Sequence, residues 1–371
     1  MRILHILPWI TSGGVEKRRL LLARHLDRKR YEQRIVCMEG RETLMEQIRA
    51  SGVPITVLGG TWRLQDYRTQ ARLRSLIREW RPDVVHTAVF EAVYQGVLAA
   101  HFSKVPYTIM EEIAFPVTRR WRAHVLMRTM ASLADRCVAV SPAVGAYLRE
   151  TLRIPEKKIR VVPNGVQIPD PVSETELRDT RRRLGLEDED LVIGSLGRMH
   201  DQVKRFSDLI DAFALLAGDY PRTKLLLVGS GPDEDSLRER VRQEQLQSRI
   251  IFAGYRADPR ACLESMDIFA LVSESESFGL ALVEAMFASL PVICTGVGGM
   301  RDVVAEDETG LFVSPGNVED IARALRTLMA DSELRDRMGR AGRQRAMTLF
   351  TAARYASDVS SLYDELMLLR D

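Results

Sequence analysis

Short apolar runs alternate with longer amphipathic stretches along the whole chain. In the first half the runs are RILHIL (2–7), QRIVCM (33–38), DVVHTA (83–88), YTIM (107–110) and RCVAV (136–140). They continue as IRVV (159–162), LVIGSLG (191–197), KLLLVG (224–229) and PVICT (291–295). Each is aliphatic or β-branched, is flanked by turn residues and lacks strict apolar–polar alternation, so each predicts a buried strand. Helical spacing fills the intervals. Val15, Leu22 and Leu26 share one helix face, and Val359, Leu362, Tyr363 and Leu366 form an i, i+3, i+4, i+7 stripe on the last helix, which must pack on something. Strand and helix alternating at this rhythm predict an α/β protein with parallel sheets covered by helices on both faces. Two such blocks predict two Rossmann-like domains.

The blocks separate in VVPNGVQIPDPVSE, where Pro163, Asn164, Gly165, Pro169 and Pro171 break any helix or central strand. The expected domains are 1–167, joined by the C-terminal helix 355–371, and 168–354. Ser173 followed by Glu176 resembles a capping box opening the next helix. The length of 371 residues suits two domains at about 150 residues each. With 46% hydrophobic and 28% charged residues, the chain is neither collagenous nor low in complexity. It has no apolar run long enough to predict a transmembrane helix. The apolar start, Ile3 to Ile10, contains His5 and Pro8 and lacks a small-residue cleavage pattern, so it predicts a strand rather than a signal peptide. Cys37, Cys137, Cys262 and Cys294 are dispersed without a C-x-x-C pair, which points to reduced thiols, a cytoplasmic setting and no structural zinc.

The net charge of +2 conceals an asymmetry. Residues 1–170 carry 28 Lys+Arg against 16 Asp+Glu, and the remainder carry 25 against 35. Part of the basic excess lies in TRRWRAHVLMRTMASL (118–133), with Arg119, Arg120, Trp121, Arg122 and Arg128, and part in the Arg-rich stretch 61–82. Such helices either present a solvated charged face or lie on an anionic membrane surface, which would make the protein peripheral at the inner face of the membrane. No nucleic-acid-binding motif accompanies the charge, so nucleic acid is not an expected partner.

Ligands of parallel sheets bind at the carboxyl ends of strands. Arg198 follows LVIGSLG, and Lys204 follows six residues later; the two suit a diphosphate or are surface charges. Ser230-Gly231-Pro232 after KLLLVG is a tight turn that lets backbone approach a ligand. The strongest signal is SESESFGLALVEAMFASLPVICTGVGG (273–299). Here Ser277-Phe278-Gly279 form a turn, Leu280 opens a helix whose free N–H groups make an anion site, and Glu276 precedes Glu284 by eight residues. Glu276 supports the helix dipole or accepts from sugar hydroxyls, and Glu284 is a ligand or a solvated helix residue. Among the histidines, His5 reads as core, His86 as a strand-end residue that touches ligand or packs, and His200 as a loop residue that is solvated or reaches phosphate.

In this order and spacing, Arg198…Lys204, GSGP (229–232), Glu276…Glu284 and PVICTGVGG (291–299), with VPNGV (162–166) and Gly13-Gly14-Val15-Glu16, resemble retaining nucleotide-sugar glycosyltransferases of family 4. The resemblance covers nearly the whole chain. It implies the GT-B fold: two Rossmann-like domains with parallel sheets facing a central cleft, the C-terminal helix returning to the first domain. It further implies transfer of a sugar, with retention, from a nucleoside-diphosphate sugar to an acceptor hydroxyl, without cofactor or metal. The acceptor would be a glycan, a lipid-linked molecule or a small molecule, with cell-surface glycan or glycolipid synthesis a candidate setting.

The resemblance also assigns roles. Arg198 and Lys204 would bind the donor diphosphate and stabilise the leaving phosphate. Glu276 would bond donor-sugar hydroxyls, and the amides of Phe278, Gly279 and Leu280 would touch diphosphate or sugar. Glu284 would hold the ribose, with Gly231 and the Gly254-Tyr255-Arg256 turn near the base. Gly13 and Gly14 would close over the phosphate from the other domain. One departure stands out: where family members usually carry a His near the reacting sugar, VPYTIMEEIAF (105–115) offers Glu111 and Glu112, with Glu112 in the aligned position. A carboxylate there suits a base toward the acceptor. Asp302 replaces the more usual Glu, and the Arg198-to-Lys204 interval is one residue longer than the commonest form. Two other functions fit the sequence less well: another GT-B enzyme such as a nucleotide-sugar epimerase, and a non-catalytic solute-binding module, which would not need paired phosphate cations.

Overall fold

The computed structural model describes residues 1–11, 13–40, 42–60, 66–113 and 121–368. It comprises two compact units, Met1–Gln167 with Thr351–Asp371, and Ile168–Phe350.

The first unit runs β1 (Arg2–Ile6), β2 (Trp9–Ile10), α1 (Gly14–His25), β3 (Glu32–Cys37), β4 (Glu39–Gly40), α2 (Glu42–Ala50), β5 (Ile55–Val57), α3 (Tyr67–Trp80) and β6 (Val84–Ala88). It continues with α4 (Phe90–Phe102), β7 (Tyr107–Glu112), α5 (Trp121–Leu133), β8 (Arg136–Ala139), α6 (Pro142–Glu150) and β9 (Ile159–Val161). Seven strands form one sheet in the order β5-β3-β1-β6-β7-β8-β9, all parallel, and β2 pairs with β4 beside it. The central strands are apolar on both faces because helices cover both. The run at 159–162, expected to be buried, is instead the outermost strand: Ile159 is buried, while Arg160 and Val161 face solvent.

The second unit runs α7 (Glu174–Leu184), β10 (Leu191–Leu196), α8 (Asp201–Lys204), α9 (Phe206–Ala217), β11 (Thr223–Val228), α10 (Glu234–Gln243), β12 (Ile250–Gly254), α11 (Arg260–Leu263) and β13 (Ile268–Leu271). Then follow α12 (Leu280–Phe287), β14 (Val292–Thr295), α13 (Met300–Val303), β15 (Gly310–Val313), α14 (Val318–Ala330) and α15 (Ser332–Leu349). Its six-stranded parallel sheet has the order β12-β11-β10-β13-β14-β15. Ser173 caps α7, its hydroxyl accepting from the Glu176 amide at 3.1 Å.

The last helix, α16 (Ala352–Met367), belongs to the first unit. Its stripe of Tyr355, Val359, Leu362, Tyr363 and Leu366 buries against Ile3, Leu22, Ile109 and Val138. Salt bridges from Arg30 to Asp364 and from Arg160 to Glu365 flank this seam.

Candidate functional site

In the second unit the strand order reverses between β10 and β13. Loops leaving these neighbours run in opposite directions, which opens a crevice at their carboxyl ends. Arg198 follows β10 and Glu276 follows β13, so the topology brings both to that crevice.

The loops around it are tied by backbone bonds. The Gly197 amide donates to Val228 at 3.0 Å, Met199 to Ser230 at 3.0 Å, Gly229 to Gly254 at 2.9 Å, Glu274 to Val203 at 2.8 Å and Gly299 to Glu276 at 3.0 Å. These approaches leave no room for side chains at three positions. A Cβ on Gly229 would collide with the Gly197 carbonyl, one on Gly231 with the Met199 carbonyl, and one on Gly299 with the Ser277 carbonyl. The sequence-derived turn at Gly231 is therefore a close backbone crossing.

Lys204, the last residue of α8, forms an ion pair with the Glu276 carboxylate, with 22% and 19% of the two side chains exposed. Arg198 is exposed and makes no ion pair among the described residues. At the start of α12 the backbone turns through Gly279, with φ 91°. The Phe278, Gly279 and Leu280 amides make no backbone hydrogen bond among the described residues. Such orphan donors at a helix start suit an anion. The Phe278 ring is buried edge-on against Phe350, at 5.6 Å between centroids, so only its backbone is available to a ligand. Glu284 is half-buried one turn into α12, and Tyr255 and Arg256 are exposed beyond the Gly254 turn.

The first unit has the same reversal between β1 and β6. Gly13 is the N-cap of α1, and Glu16 in its first turn is buried, within 3.4 Å of the Thr11 hydroxyl. Burial raises the Glu16 carboxyl above its ordinary range. Glu112 ends β7; it is buried and accepts from the Ile113 amide at 3.1 Å.

Beside it, Glu111 is the centre of a sealed network that the sequence reading did not foresee. Its carboxylate accepts from Arg19 at 2.6 Å and from Arg18. His86 is not a strand-end ligand group. It lies inside β6, fully enclosed, with Nδ1 2.8 Å from the Tyr363 hydroxyl and Nε2 3.4 Å from Glu111. The missed signal was periodic: Arg18 and Arg19 stand four and three residues before Leu22, on the apolar stripe of α1.

Of the basic cluster at 118–133, Arg119 and Arg120 lie outside the described residues. Trp121 is 70% exposed, with the Arg122 guanidinium 5.5 Å from its ring centroid, and Val125 is also exposed. No helix of the described residues is long and apolar enough to cross a membrane.

Two family models match the chain. Residues 12–168 match Glycosyltransferase Family 4, and residues 177–345 match Glycosyl transferases group 1. The chain belongs to the family 4 glycosyltransferases of the GT-B class. N-acetyl-alpha-D-glucosaminyl L-malate synthase of Bacillus anthracis is 28% identical over 65% of the chain, a match that spans 62% of that synthase. The capsular polysaccharide biosynthesis glycosyltransferase CapM of Staphylococcus aureus is 25% identical over 92% of each chain. HepE of Anabaena, solved with UDP, shares the fold at a TM-score of 0.84 and 20% identity, covering 98% of this chain and 100% of its own. In this GT-B chain the Arg198, Lys204 and Glu276 cluster falls within the group 1 match, and Gly13, Gly14 and Glu112 fall within the family 4 match.

Proposed function

We propose that this glycosyltransferase moves a sugar, with retention of configuration, from a nucleoside-diphosphate sugar to an acceptor hydroxyl. The observation that carries the reading is the Lys204–Glu276 pair at the β10–β13 reversal, with exposed Arg198 on the loop leaving β10 and orphan amides at the start of α12. Departure of a nucleoside diphosphate develops negative charge, and Arg198, Lys204 and the Phe278–Leu280 amides supply fixed positive ends for it. Glu276 would accept from hydroxyls of the transferred sugar, Glu284 from the ribose, and the Gly231 and Gly254-Tyr255-Arg256 turns would border the base. Gly13 and Gly14 would contribute amides to the phosphate, and Glu112 would serve the acceptor as a base. Protein cations take the charge-neutralising part in this reading, so neither a metal nor a cofactor is invoked. The UDP seen in HepE makes a uridine nucleotide the first donor to test.

For the acceptor, the capsular polysaccharide glycosyltransferase relative favours a glycan. The exposed Trp121 and Arg122 favour a site of work beside an anionic membrane surface.

The test is a thermal-shift screen of nucleotide sugars, followed by transfer assays with anomeric assignment of the product by NMR. Stabilisation by a nucleoside diphosphate and a product of unchanged anomeric configuration are expected. An inverted product would refute retention. Donor conversion to an isomer without any acceptor would favour an epimerase instead.

A further inference from the structure

Four elements of the first unit meet on one carboxylate. Glu111 of β7 accepts from Arg18 and Arg19 of α1, faces His86 of β6, and through His86 reaches Tyr363 of α16. All five side chains are buried. Stability alone is a weak reason for such a cluster, because well-packed apolar side chains serve a core equally well or better. What a carboxylate gripped by two guanidinium groups does provide is directed geometry, since each planar fork bonds along fixed directions.

The parts held together are those the proposed reaction uses. Arg18 lies one helical turn beyond Gly14, where α1 opens, and Glu111 immediately precedes Glu112. Pairing along the sheet fixes this end of β7 further: Glu111 is opposite Ala88 and Val138, and Glu112 is opposite Ala139.

We propose that Glu111 is a positioning residue, clamping Arg18 and Arg19 so that the Gly13–Gly14 entry to α1 and the Glu112 end of β7 keep one fixed geometry. The consequence for transfer rests on the function proposed above; the clamp itself can be tested without turnover.

Glu111→Gln is the obvious variant, but it strands two buried guanidinium charges and risks unfolding. The deciding variant is therefore Arg18→Met, Arg19→Leu and Glu111→Leu together, which replaces the cluster with apolar side chains and is expected to fold. Two readouts apply. Hydrogen exchange should accelerate by about tenfold at the amides of residues 17–22, the first bonded amides of α1, and 110–113, with the second unit unchanged. Turnover should fall about 10- to 100-fold, as misplacement of reacting groups costs, with donor KM within about threefold of wild type. Exchange equal to wild type at both segments would overturn the proposal. So would faster exchange with unchanged turnover in an enzyme shown to transfer sugar. The functional reading fails by a different sign, a wild type that neither binds nucleoside diphosphate nor turns over donor, and hydrogen exchange then still decides the clamp.

Discussion

Mild acid should unfold the first unit ahead of the second, because two histidines are sealed in its core. His86 is pushed down to about 4, chiefly by burial and then by the Arg19 guanidinium, with Glu111 opposing only in part. His5 is held well below its ordinary value by burial, Arg19 and His86. In the unfolded chain both titrate near pH 6.5. Below that pH the unfolded chain binds protons that the folded unit refuses, so stability falls as pH falls. For His86 the loss begins near pH 6.5 and is complete near pH 4, and it amounts to about 3 kcal/mol. That is a large share of a domain's usual stability of roughly 5–15 kcal/mol. His5 adds to it in the same direction. Burial alone would raise Glu111, but Arg18 and Arg19 hold it well below 4.5, so its contribution disappears only in stronger acid.

The measurement is selective by good fortune of composition: all four tryptophans, at positions 9, 62, 80 and 121, lie in the first unit. Urea unfolding followed by tryptophan fluorescence, from about pH 7.5 to about pH 4.5, should show a falling free energy. His86→Gln should remove most of the 3 kcal/mol attributed to that ring. A wild-type free energy that stays flat over this range, or a variant as pH-sensitive as wild type, would refute the linkage.

Four further outcomes are expected. Arg198→Ala and Lys204→Ala should each lower kcat by about 100- to 1,000-fold while keeping the fold, and turnover within about threefold of wild type for both would remove the diphosphate assignment. Glu276→Gln should cripple transfer, whereas Glu284→Ala should mainly weaken nucleotide binding, measured by calorimetry, because ribose contacts act alike on ground and transition states. Gly231→Ala should depress donor affinity, since its methyl group would meet the Met199 carbonyl and the loop must shift; wild-type affinity would show that the turn is not part of the site. Wild type should sediment with anionic but not neutral liposomes at low salt, at about 1 kcal/mol per basic residue near the surface, and should release when Arg119, Arg120 and Arg122 become Gln; failure to sediment would favour a soluble acceptor.

What could be read from the sequence was local. Apolar runs marked the central strands, the Pro-rich stretch marked the passage between units, and the stripe on α16 showed that it must be buried. The Arg198 and Gly231 loops could be found because each follows a recognisable strand within a few residues, and the Glu276 loop because the Ser277-Phe278-Gly279 turn opens a helix. Relations between distant positions were not legible. Lys204 and Glu276 pair across 72 residues, and Arg18 and Glu111 across 93. Two consecutive arginines on a helix ordinarily indicate solvent, and only their place on the Leu22 stripe betrays burial. β13 was not among the predicted runs although it is no shorter than β8 or β14, and 159–161 was overread because an apolar run alone does not distinguish a central strand from an edge.

The two carboxylate clusters also differ in a way that separates scaffold from site. Glu111 and its arginines are at most 3% exposed at their side chains, so breaking that cluster would leave a charge in a dry interior, at a cost of several kcal/mol. Nothing arriving from solvent can compete with it. Lys204 and Glu276 are about one-fifth exposed and hold each other through a single contact, so solvent reaches this pair where it does not reach the Glu111 cluster. On the proposed function a diphosphate, carrying more charge than one carboxylate and drawing on Arg198 and the α12 amides, would take Lys204 from Glu276. The released carboxylate would then accept from a sugar hydroxyl. On the proposed function the cation is thus already held close to where charge would develop, and its partner is one that donor binding would displace.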